Sequence, residues 1–354
     1  MNVRRLLPRR AGADVVQFEE VRSILREANR ADPETLAAIA TELRAQADGA
    51  SRRVQVEIDG VIARFRAAQK DRGTGGDAGA VGSGIVGTAM READERLARC
   101  LAYAQPARVR QFLLGGKEVF ESDRALGAAL IEAHPHARYA AAVTRAFHRW
   151  VTDALAGVGV GQFLDIGAGY EPCVHRIAQA RNPAARTVYA DMDPIVLAHG
   201  RAQDSDEKTR WIDVDLTDPD AVLTLASEDG LLDLSEPVAL SLVGVLEHIA
   251  GDELAAGAIR ELTAGLTSGS ALIVTHAAAD IDPVRMEQAA TAYSEHGLTY
   301  RPRAYDRIAE YFTDFELESP GIVGPHQWMR SPHAGLERIT DEDICCYAAI
   351  GWKK

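Results

Sequence analysis

Two apolar segments of this sequence each end in a carboxylate, and the first also carries a pair of glycines. Phe163–Gly169 is an apolar run closed by Asp-x-Gly-x-Gly, and about twenty residues later the run Thr187–Ala190 is followed by Asp191. Paired glycines permit a sharp turn at the end of a buried strand and let a ligand approach the backbone. A carboxylate at the tip of the next strand can accept hydrogen bonds from a ribose. These residues predict a nucleoside-binding crevice at the carboxyl ends of a parallel sheet.

The residues after the second glycine distinguish between nucleoside ligands. A dinucleotide-binding turn carries a third glycine three positions later, where the helix receives the pyrophosphate, but this sequence has Pro172 there, preceded by Glu171. An acidic residue in that place is electrostatically unfavourable for NAD or FAD, whereas Asp165 suits a ligand with an ammonium and a sulfonium charge. We therefore expect S-adenosylmethionine (SAM) as the cofactor. A nucleotide-sugar or NAD site, and a tight turn that binds no ligand, are the alternatives.

The elements that must position these residues alternate between strand and helix patterns. Further strands are predicted at Arg210–Leu216, Pro237–Val245, Ser270–His276, Phe315–Glu318 and Cys345–Trp352. Parallel strands need crossover connections, and the helical patterns between the first five strands supply them. The expected fold is α/β: a Rossmann-like, doubly wound, mostly parallel seven-stranded sheet with an antiparallel C-terminal hairpin.

The strand ends predict which residues contact the cofactor. Asp215 follows the third strand, where its carboxylate can accept from the adenine amine, and Lys117 either pairs with the cofactor carboxylate or starts the next helix. The predicted set is Asp165, Gly167, Ala168, Gly169, Asp191, Met192, Asp215, Leu216, Val243, Gly244 and Lys117. The four cysteines have no C-x-x-C spacing, so no metal site is expected.

Three titratable residues follow the fourth and fifth strands. Methyl transfer from a sulfonium requires a base only when the nucleophile holds a proton at neutral pH. Glu247 and His248 follow the fourth strand and His276 ends the fifth, so all three open onto the crevice above the sheet. His248 is the first choice for the base because the unperturbed pKa of histidine lies near working pH. The alternative is that His248 only packs against or caps the following helix.

Six short motifs occur in order within residues 95–354. They are R-x-x-x-L-L-G-G-K-x-x-F-x-x-D-R in Arg108–Arg124 with a spacing variant, Q-F-L-D-I-G-x-G in Gln162–Gly169, V-Y-x-D-x-D-P-x-V-L-A-H in Val188–His199, V-L-x-H in Val245–His248, G-S-x-L-I-V-x-H in Gly269–His276, and E-S-P-G-I-V with a following tryptophan in Glu318–Trp328. With these motifs the chain resembles the actinobacterial S-adenosyl methyltransferase family, long catalogued as a domain of unknown function. The resemblance implies a class I methyltransferase. The chain departs from the family pattern at Val109–Phe112, where a tyrosine-bearing segment normally precedes L-L-G-G-K, and at Tyr170–Cys173.

Charge and hydropathy argue against several classes of partner. The sequence has 39 Lys and Arg against 52 Asp and Glu, a net charge of −13, which disfavours duplex DNA or RNA as the substrate. No apolar stretch approaches the length of a membrane span, and the arginines near the N-terminus are followed by no hydrophobic segment of a secretion signal. We expect a cytoplasmic protein without a membrane partner.

The first part of the chain has a different character from the rest. Residues 1–72 predict a helical accessory segment, residues 73–84 a glycine-rich linker, and residues 85–354 the SAM-dependent methyltransferase domain. A few helices of this size bury little apolar area by themselves. Packing on the catalytic domain, on a partner or on a second copy in a homodimer would cover their apolar stripes.

The sequence therefore predicts methyl transfer from SAM to a small-molecule acceptor, such as a specialised metabolite, at an oxygen, nitrogen or carbon atom. The alternative is a regulatory or partner-dependent protein that binds SAM without transfer activity of its own.

Overall fold

The structure is a computed structural model that describes residues 103–170, 172–203, 206–329 and 339–354. The predictions made for residues 1–72 and 73–84, including dimerisation through the N-terminal helices, lie outside the described residues. Helices are numbered below along the described part of the chain.

Strands and helices alternate from residue 162 onward, after three helices. The strands are β1 (Gln162–Ile166), β2 (Arg186–Asp191), β3 (Thr209–Asp213), β4 (Ala239–Val243), β5 (Ala271–Ala277), β6 (Phe315–Leu317) and β7 (Cys346–Lys353). The helices are α1 (Pro106–Leu113), α2 (Glu121–Ala133), α3 (Ala137–Gly157), α4 (Val174–Arg181), α5 (Pro194–Gln203), α6 (Pro219–Ser227), α7 (Asp252–Ala264), α8 (Pro283–Glu295), α9 (Tyr305–Ala309), α10 (Pro325–Trp328) and α11 (Asp341–Ile344). Short 3₁₀ turns include Leu246–His248, directly after β4.

The seven strands form one sheet in the order β3-β2-β1-β4-β5-β7-β6. β1 to β5 are parallel, while β7 runs antiparallel to both β5 and β6. The predicted doubly wound sheet with its antiparallel C-terminal hairpin is confirmed. The chain order reverses between β1 and β4, and in open α/β sheets ligands bind outside the carboxyl ends of the strands at such a switch point.

Alternate residues of the strands face two separate hydrophobic cores. On β1, Leu164 and Ile166 pack in the core covered by α6 and α7, whereas Phe163 packs in the core covered by α3, α4 and α5. Because side chains alternate along a strand, Asp165 shares the side of Phe163 and points toward α3. The register of the sheet therefore decides which helix meets the first carboxylate of the motif.

A third cluster joins α1, α2 and α8, with Val109, Leu126 and Tyr293 among its members. Arg110 of α1 donates to the carbonyl oxygen of Val243 at 3.0 Å, so α1 lies across the carboxyl end of β4. Nε of Arg108 on the same helix lies 3.8 Å from Oδ2 of Asp193, just after β2, so α1 spans the crevice.

Two details of the sequence prediction are wrong. β3 ends at Asp213 and not at Leu216, because Asp213 pairs with Asp191, the last residue of β2, and no partner strand continues beyond it. Cys345 does not lie on β7: it ends α11 with a left-handed φ of 47°, and the strand begins at Cys346. Among the described residues, no helix is long and apolar enough to cross a membrane.

Candidate functional site

The Gly-x-Gly turn after β1 has the conformation that the sequence predicts. Gly167 and Gly169 both adopt positive φ, 70° and 63°, which side chains other than glycine rarely accept. The backbone N–H of Gly167 donates to the carbonyl oxygen of Ala190 at 2.8 Å, which ties the turn to the end of β2. A Cβ added to Gly167 would lie 2.7 Å from Cγ2 of Val245, so the turn is also closely packed against the segment after β4.

Asp191 connects the end of β2 to the glycine turn. Its carboxylate accepts from the backbone N–H of Gly169 and from that of Asp193, each at 2.9 Å. Burial raises the pKa of Asp191 to about 6, although these backbone donors favour the ionised form. Each carboxylate oxygen can accept a second hydrogen bond, so the group still has acceptor capacity for ribose hydroxyls.

Asp165 is a buried carboxylate with an unsatisfied oxygen. The residue is 1 % exposed, and its Oδ2 has no hydrogen-bond partner. Nε2 of His148 on α3 lies 3.3 Å from Oδ1 but is itself without a well-aligned hydrogen bond. A buried carboxylate oxygen that is left unpaired is costly, so Asp165 is poised to accept from a cationic ligand group.

A cleft opens beside Asp165 at the switch point of the sheet. It holds about 450 Å³ of empty space, part of it open to solvent. Its polar side chains come from α1, α3, β1 and the glycine turn, and its backbone wall is the Gly-x-Gly segment. The lining residues include Arg110, Gln111, Arg145, His148, Asp165, Gly167, Ala168, Gly169, Tyr170 and Val243.

The charges in this cleft suit an amino-acid zwitterion. Asp165 supplies a carboxylate for an ammonium group, while Arg110 and Arg145 supply guanidinium groups for a carboxylate. Burial lowers the pKa of Arg110, an effect partly offset by the nearby charges of Glu247 and Asp165. The methionyl end of SAM carries both an ammonium and a carboxylate, and the adjoining Asp191 suits its ribose. The residues present therefore fit SAM.

Not all of the predicted cofactor residues are found at this cleft. Lys117 is exposed and lies outside the cleft lining, where Arg110 and Arg145 supply the positive charge. Asp215 is exposed in the loop after β3, and its Oδ1 accepts from both the backbone N–H and the hydroxyl of Thr217 at 2.8 Å. Asp215 thus stabilises its own loop with one carboxylate oxygen.

The remaining predicted residues lie around the strand ends. Met192 lies beside Asp191 and is 55 % exposed, so a bound ligand could cover its side chain. Leu216 is buried in the core under α6. Gly244 follows β4 with a φ of 69°, directly below Arg110.

We define the β4–β5 side of the crevice by Glu247, His248 and His276, and the β1–β2 side by Asp165, the glycine turn and Asp191. The titratable residues of the two sides have different environments. Nδ1 of His248 lies 2.9 Å from the carbonyl oxygen of Thr299, so this nitrogen is the donor and Nε2 keeps its lone pair. Burial lowers the pKa of His248 to about 4. The ring contacts Tyr293 and Tyr300 at centroid distances of 5.5 and 5.7 Å, and the two tyrosines stack on each other at 4.3 Å.

His276 is occupied by a structural interaction. Its Nδ1 donates to the carbonyl oxygen of Ala277, and its Nε2 accepts from Nη1 of Arg303 at 2.9 Å. Burial lowers the pKa of His276 to about 3, and the Arg303 guanidinium acts in the same direction. With both ring nitrogens engaged, His276 orients Arg303 and has no lone pair for a substrate proton.

Three residues of the cleft were missed by sequence reasoning: Arg110, Arg145 and His148. Arg110 lies in the segment where the chain departs from the family pattern. Arg145 and His148 are one turn apart on α3, where they interrupt the apolar stripe of Val143, Phe147 and Val151. A polar pair within the stripe of the helix that precedes β1 is the signal that could have identified them.

The switch-point cleft, the glycine turn and the strand-end carboxylates define a class I SAM-dependent methyltransferase. A family model for the S-adenosyl methyltransferases matches residues 96–354, and the chain belongs to this family.

Two solved structures resemble this chain over most of its length. A DUF574 family protein of Streptomyces avermitilis MA-4680 has 32% identity and a TM-score of 0.68, with 72% of this chain and 99% of that one covered. A protein of Thermobifida fusca YX has 33% identity and a TM-score of 0.66, with 71% and 96% covered. No curated protein matches the chain.

Proposed function

We propose that this enzyme transfers a methyl group from SAM to a small-molecule acceptor bound on the β4–β5 side of the crevice. The observation that carries the proposal is the unsatisfied Oδ2 of Asp165, buried in a cleft that also holds two guanidinium groups. This combination of charges is expected for the amino-acid end of SAM and not for a pyrophosphate.

Each part of the cofactor has a group of this chain to bind it. Asp165 accepts from the ammonium, Arg110 and Arg145 hold the carboxylate, and Asp191 accepts from the ribose hydroxyls. The free oxygen of Asp215 is the candidate acceptor for the adenine amine. Ala168, Val243 and the glycines supply close backbone contact.

SAM supplies a methyl group that is already activated by its sulfonium. The protein therefore has to position the nucleophile in line, exclude water and, for an acceptor that holds a proton, receive that proton. The crossing of α1 over the end of β4 restricts access to this place, which favours an acceptor small enough to enter beneath a helix.

His248 is one candidate for the base, because its Nε2 carries a lone pair while Nδ1–H donates to Thr299. If His248 is the base, His248→Ala should lower turnover about 10²–10⁴-fold and change SAM affinity little. If the ring only packs against Tyr293 and Tyr300, the same change should lower thermal stability and leave turnover per folded molecule intact. Measuring both on one preparation decides between these roles.

Isothermal titration tests the proposed function. The wild type should bind SAM and S-adenosylhomocysteine (SAH) in the micromolar range, about −8 kcal/mol, and NAD much more weakly. Asp165→Asn should weaken SAM binding by about 1.5–3 kcal/mol, because the ammonium loses a charged acceptor. Asp153→Asn is the matched control, since Asp153 is half exposed on α3 and pairs with Arg181. Tight NAD binding without SAM binding would overturn the proposal.

A further inference from the structure

Glu247 is a second buried carboxylate, at the end of β4. It lies in the 3₁₀ turn Leu246–His248, is 7 % exposed, and its Oε2 has no hydrogen-bond partner. Burying a carboxylate oxygen without a hydrogen-bond partner costs free energy, and no described residue forms a hydrogen bond with this oxygen. Glu247 is therefore the buried carboxylate with an unsatisfied oxygen on the β4–β5 side, and Asp165 is its counterpart on the β1–β2 side.

Glu247 and Arg110 approach each other over Gly244. The position that a Cβ on Gly244 would occupy is 3.3 Å from Nη1 of Arg110 and 3.8 Å from Oε1 of Glu247. The two charged groups are thus close, at most the sum of these distances apart, yet they form no ion pair. Arg110 also lines the cofactor cleft. Arg110 therefore connects the cofactor cleft to the surroundings of the Glu247 carboxyl.

The backbone of Glu247 is firmly held. The backbone N–H of Arg301 donates to the carbonyl oxygen of Glu247 at 2.7 Å. Arg303, 3 % exposed, donates to the carbonyl oxygens of Leu246 and Ile249, both at 2.9 Å. Glu247 is therefore presented by a turn that is fixed on both sides, as a positioned catalytic group requires.

The charged and titratable groups that face Glu247 come from several elements. They are Arg110 of α1, Tyr293 of α8, Arg303 and Tyr300 of the segment before α9, Tyr311 of the turn after α9, and Cys346 of β7. Burial raises the pKa of Glu247 to about 7, although Arg110 and Arg303 act in the opposite direction. A carboxyl with this pKa can lose and regain a proton under working conditions.

Asp165 and Asp191 would hold the ammonium and the ribose of SAM on the β1–β2 side. The β4 side, where Gly244 lacks a side chain, is then the side left for an acceptor.

We propose that Glu247 faces the transferable methyl group and is the base that takes the acceptor's proton. This inference rests on the proposed function. The acceptor atom forms its bond to the methyl carbon, the carbon–sulfur bond breaks with its electron pair going to sulfur, and the acceptor's proton passes to the carboxylate of Glu247. The acceptor class is accordingly one that bears a removable proton, such as a hydroxyl or an amine.

Proton release on cofactor binding tests this placement without a known acceptor. SAM and SAH differ at sulfur in one methyl group and one positive charge. A sulfonium close to Glu247 stabilises its carboxylate, so SAM binding at pH 7 should release roughly half a proton more than SAH binding does. Titration calorimetry in buffers of different ionisation enthalpy measures this difference. Glu247→Gln should abolish this difference and, because proton release and SAM binding are linked, weaken SAM binding more than SAH binding.

Controls separate the possible failures. Glu253→Gln, at an exposed position in the first turn of α7, should keep the wild-type difference. If Glu247→Gln does not fold, the wild type alone is decisive, since its difference should be largest below pH 7, between the free and the SAM-bound pKa of Glu247, and vanish toward pH 9. Equal proton release for SAM and SAH would overturn the role of Glu247 and leave the proposed function standing. Absence of SAM binding would overturn the proposed function itself.

Discussion

The β1–β2 side and the β4–β5 side of the crevice each present a buried carboxylate with an unsatisfied oxygen, but they are built differently. On the β1–β2 side, Asp165, Gly167 and Asp191 belong to consecutive strand ends, and backbone N–H groups fix their geometry. On the β4–β5 side, Glu247 is held by Arg303, which lies more than fifty residues further along the chain. A local sequence motif can therefore define a cofactor site, whereas long-range packing positions the residues at the proposed acceptor site.

The largest effect is expected from removing the arginine that fixes the β4–β5 side. Arg303→Met would leave the carbonyl oxygens of Leu246, Ile249 and Gly251 without their buried donor. We expect a loss of about 3–5 kcal/mol in the free energy of unfolding, measured by denaturant titration. Arg301→Met is the matched control, because Arg301 pairs with the same Asp252 but is 52 % exposed, and it should cost less than about 1 kcal/mol. Equal losses in the two variants would show that Arg303 does not hold the turn.

The next effect concerns the glycine turn of the β1–β2 side. Gly167→Ala adds a Cβ at 2.7 Å from Val245, in a backbone with φ of 70°. Gly230 has the same φ of 70° and no atom within 4 Å of an added Cβ, so Gly230→Ala isolates the backbone strain. Gly167→Ala should be less stable than Gly230→Ala by about 1–3 kcal/mol, the cost of overpacking. Equal melting temperatures would contradict the close packing between the turn and the segment after β4.

The carboxylates of the cofactor side should contribute unequally to SAM affinity. Asp191→Ala should weaken binding by about 1–3 kcal/mol, because the ribose hydroxyls lose their acceptor. Asp215→Ala should cost less than about 1 kcal/mol, since Asp215 is exposed and one oxygen already accepts from Thr217. Titration calorimetry of both variants checks the order. A larger loss at Asp215 would mean that the adenine depends on the β3 loop more than the ribose depends on β2.

The β1–β2 side could be predicted from the sequence more completely than the β4–β5 side. The glycine turn, Asp165 and Asp191 could be predicted because the residues that form that corner are neighbours along each strand. The polar pair Arg145 and His148 is visible in the α3 stripe, but only the packing of α3 on β1 brings His148 to Asp165 and both residues to the cleft. The predicted end of β3, Leu216, was wrong because the strand stops at Asp213, where its partner β2 ends.

The choice of base shows a second limit of prediction from the sequence, which cannot account for burial. Sequence reasoning favours His248 over Glu247 because it compares unperturbed pKa values. Burial acts in opposite directions on the two groups: it raises the pKa of Glu247 to about 7 and lowers that of His248 to about 4. The preference for one neighbour over the other thus reverses once the burial of the turn is known.

The smallest effect is a pH dependence of SAH binding. Asp191 has a raised pKa of about 6, so it is ionised above that pH and becomes protonated as the pH falls through it. Because ribose hydroxyls need the carboxylate as acceptor, SAH affinity should be constant from pH 8 to 7 and fall by up to about tenfold per unit below pH 6. SAH lacks the sulfonium, so its profile reports the β1–β2 side alone. A profile that is flat down to pH 5, or unchanged in Asp191→Asn, would contradict this assignment.

A crystal structure with SAH bound tests the central claim most directly. We expect the SAH ammonium within hydrogen-bond distance of Oδ2 of Asp165, the ribose hydroxyls on Asp191, and the sulfur facing Gly244, on the side of Arg110 and Glu247. A cofactor bound in the opposite direction, with its amino-acid end beyond β2 and its sulfur turned away from Glu247, would contradict both the cofactor site and the placement of the acceptor.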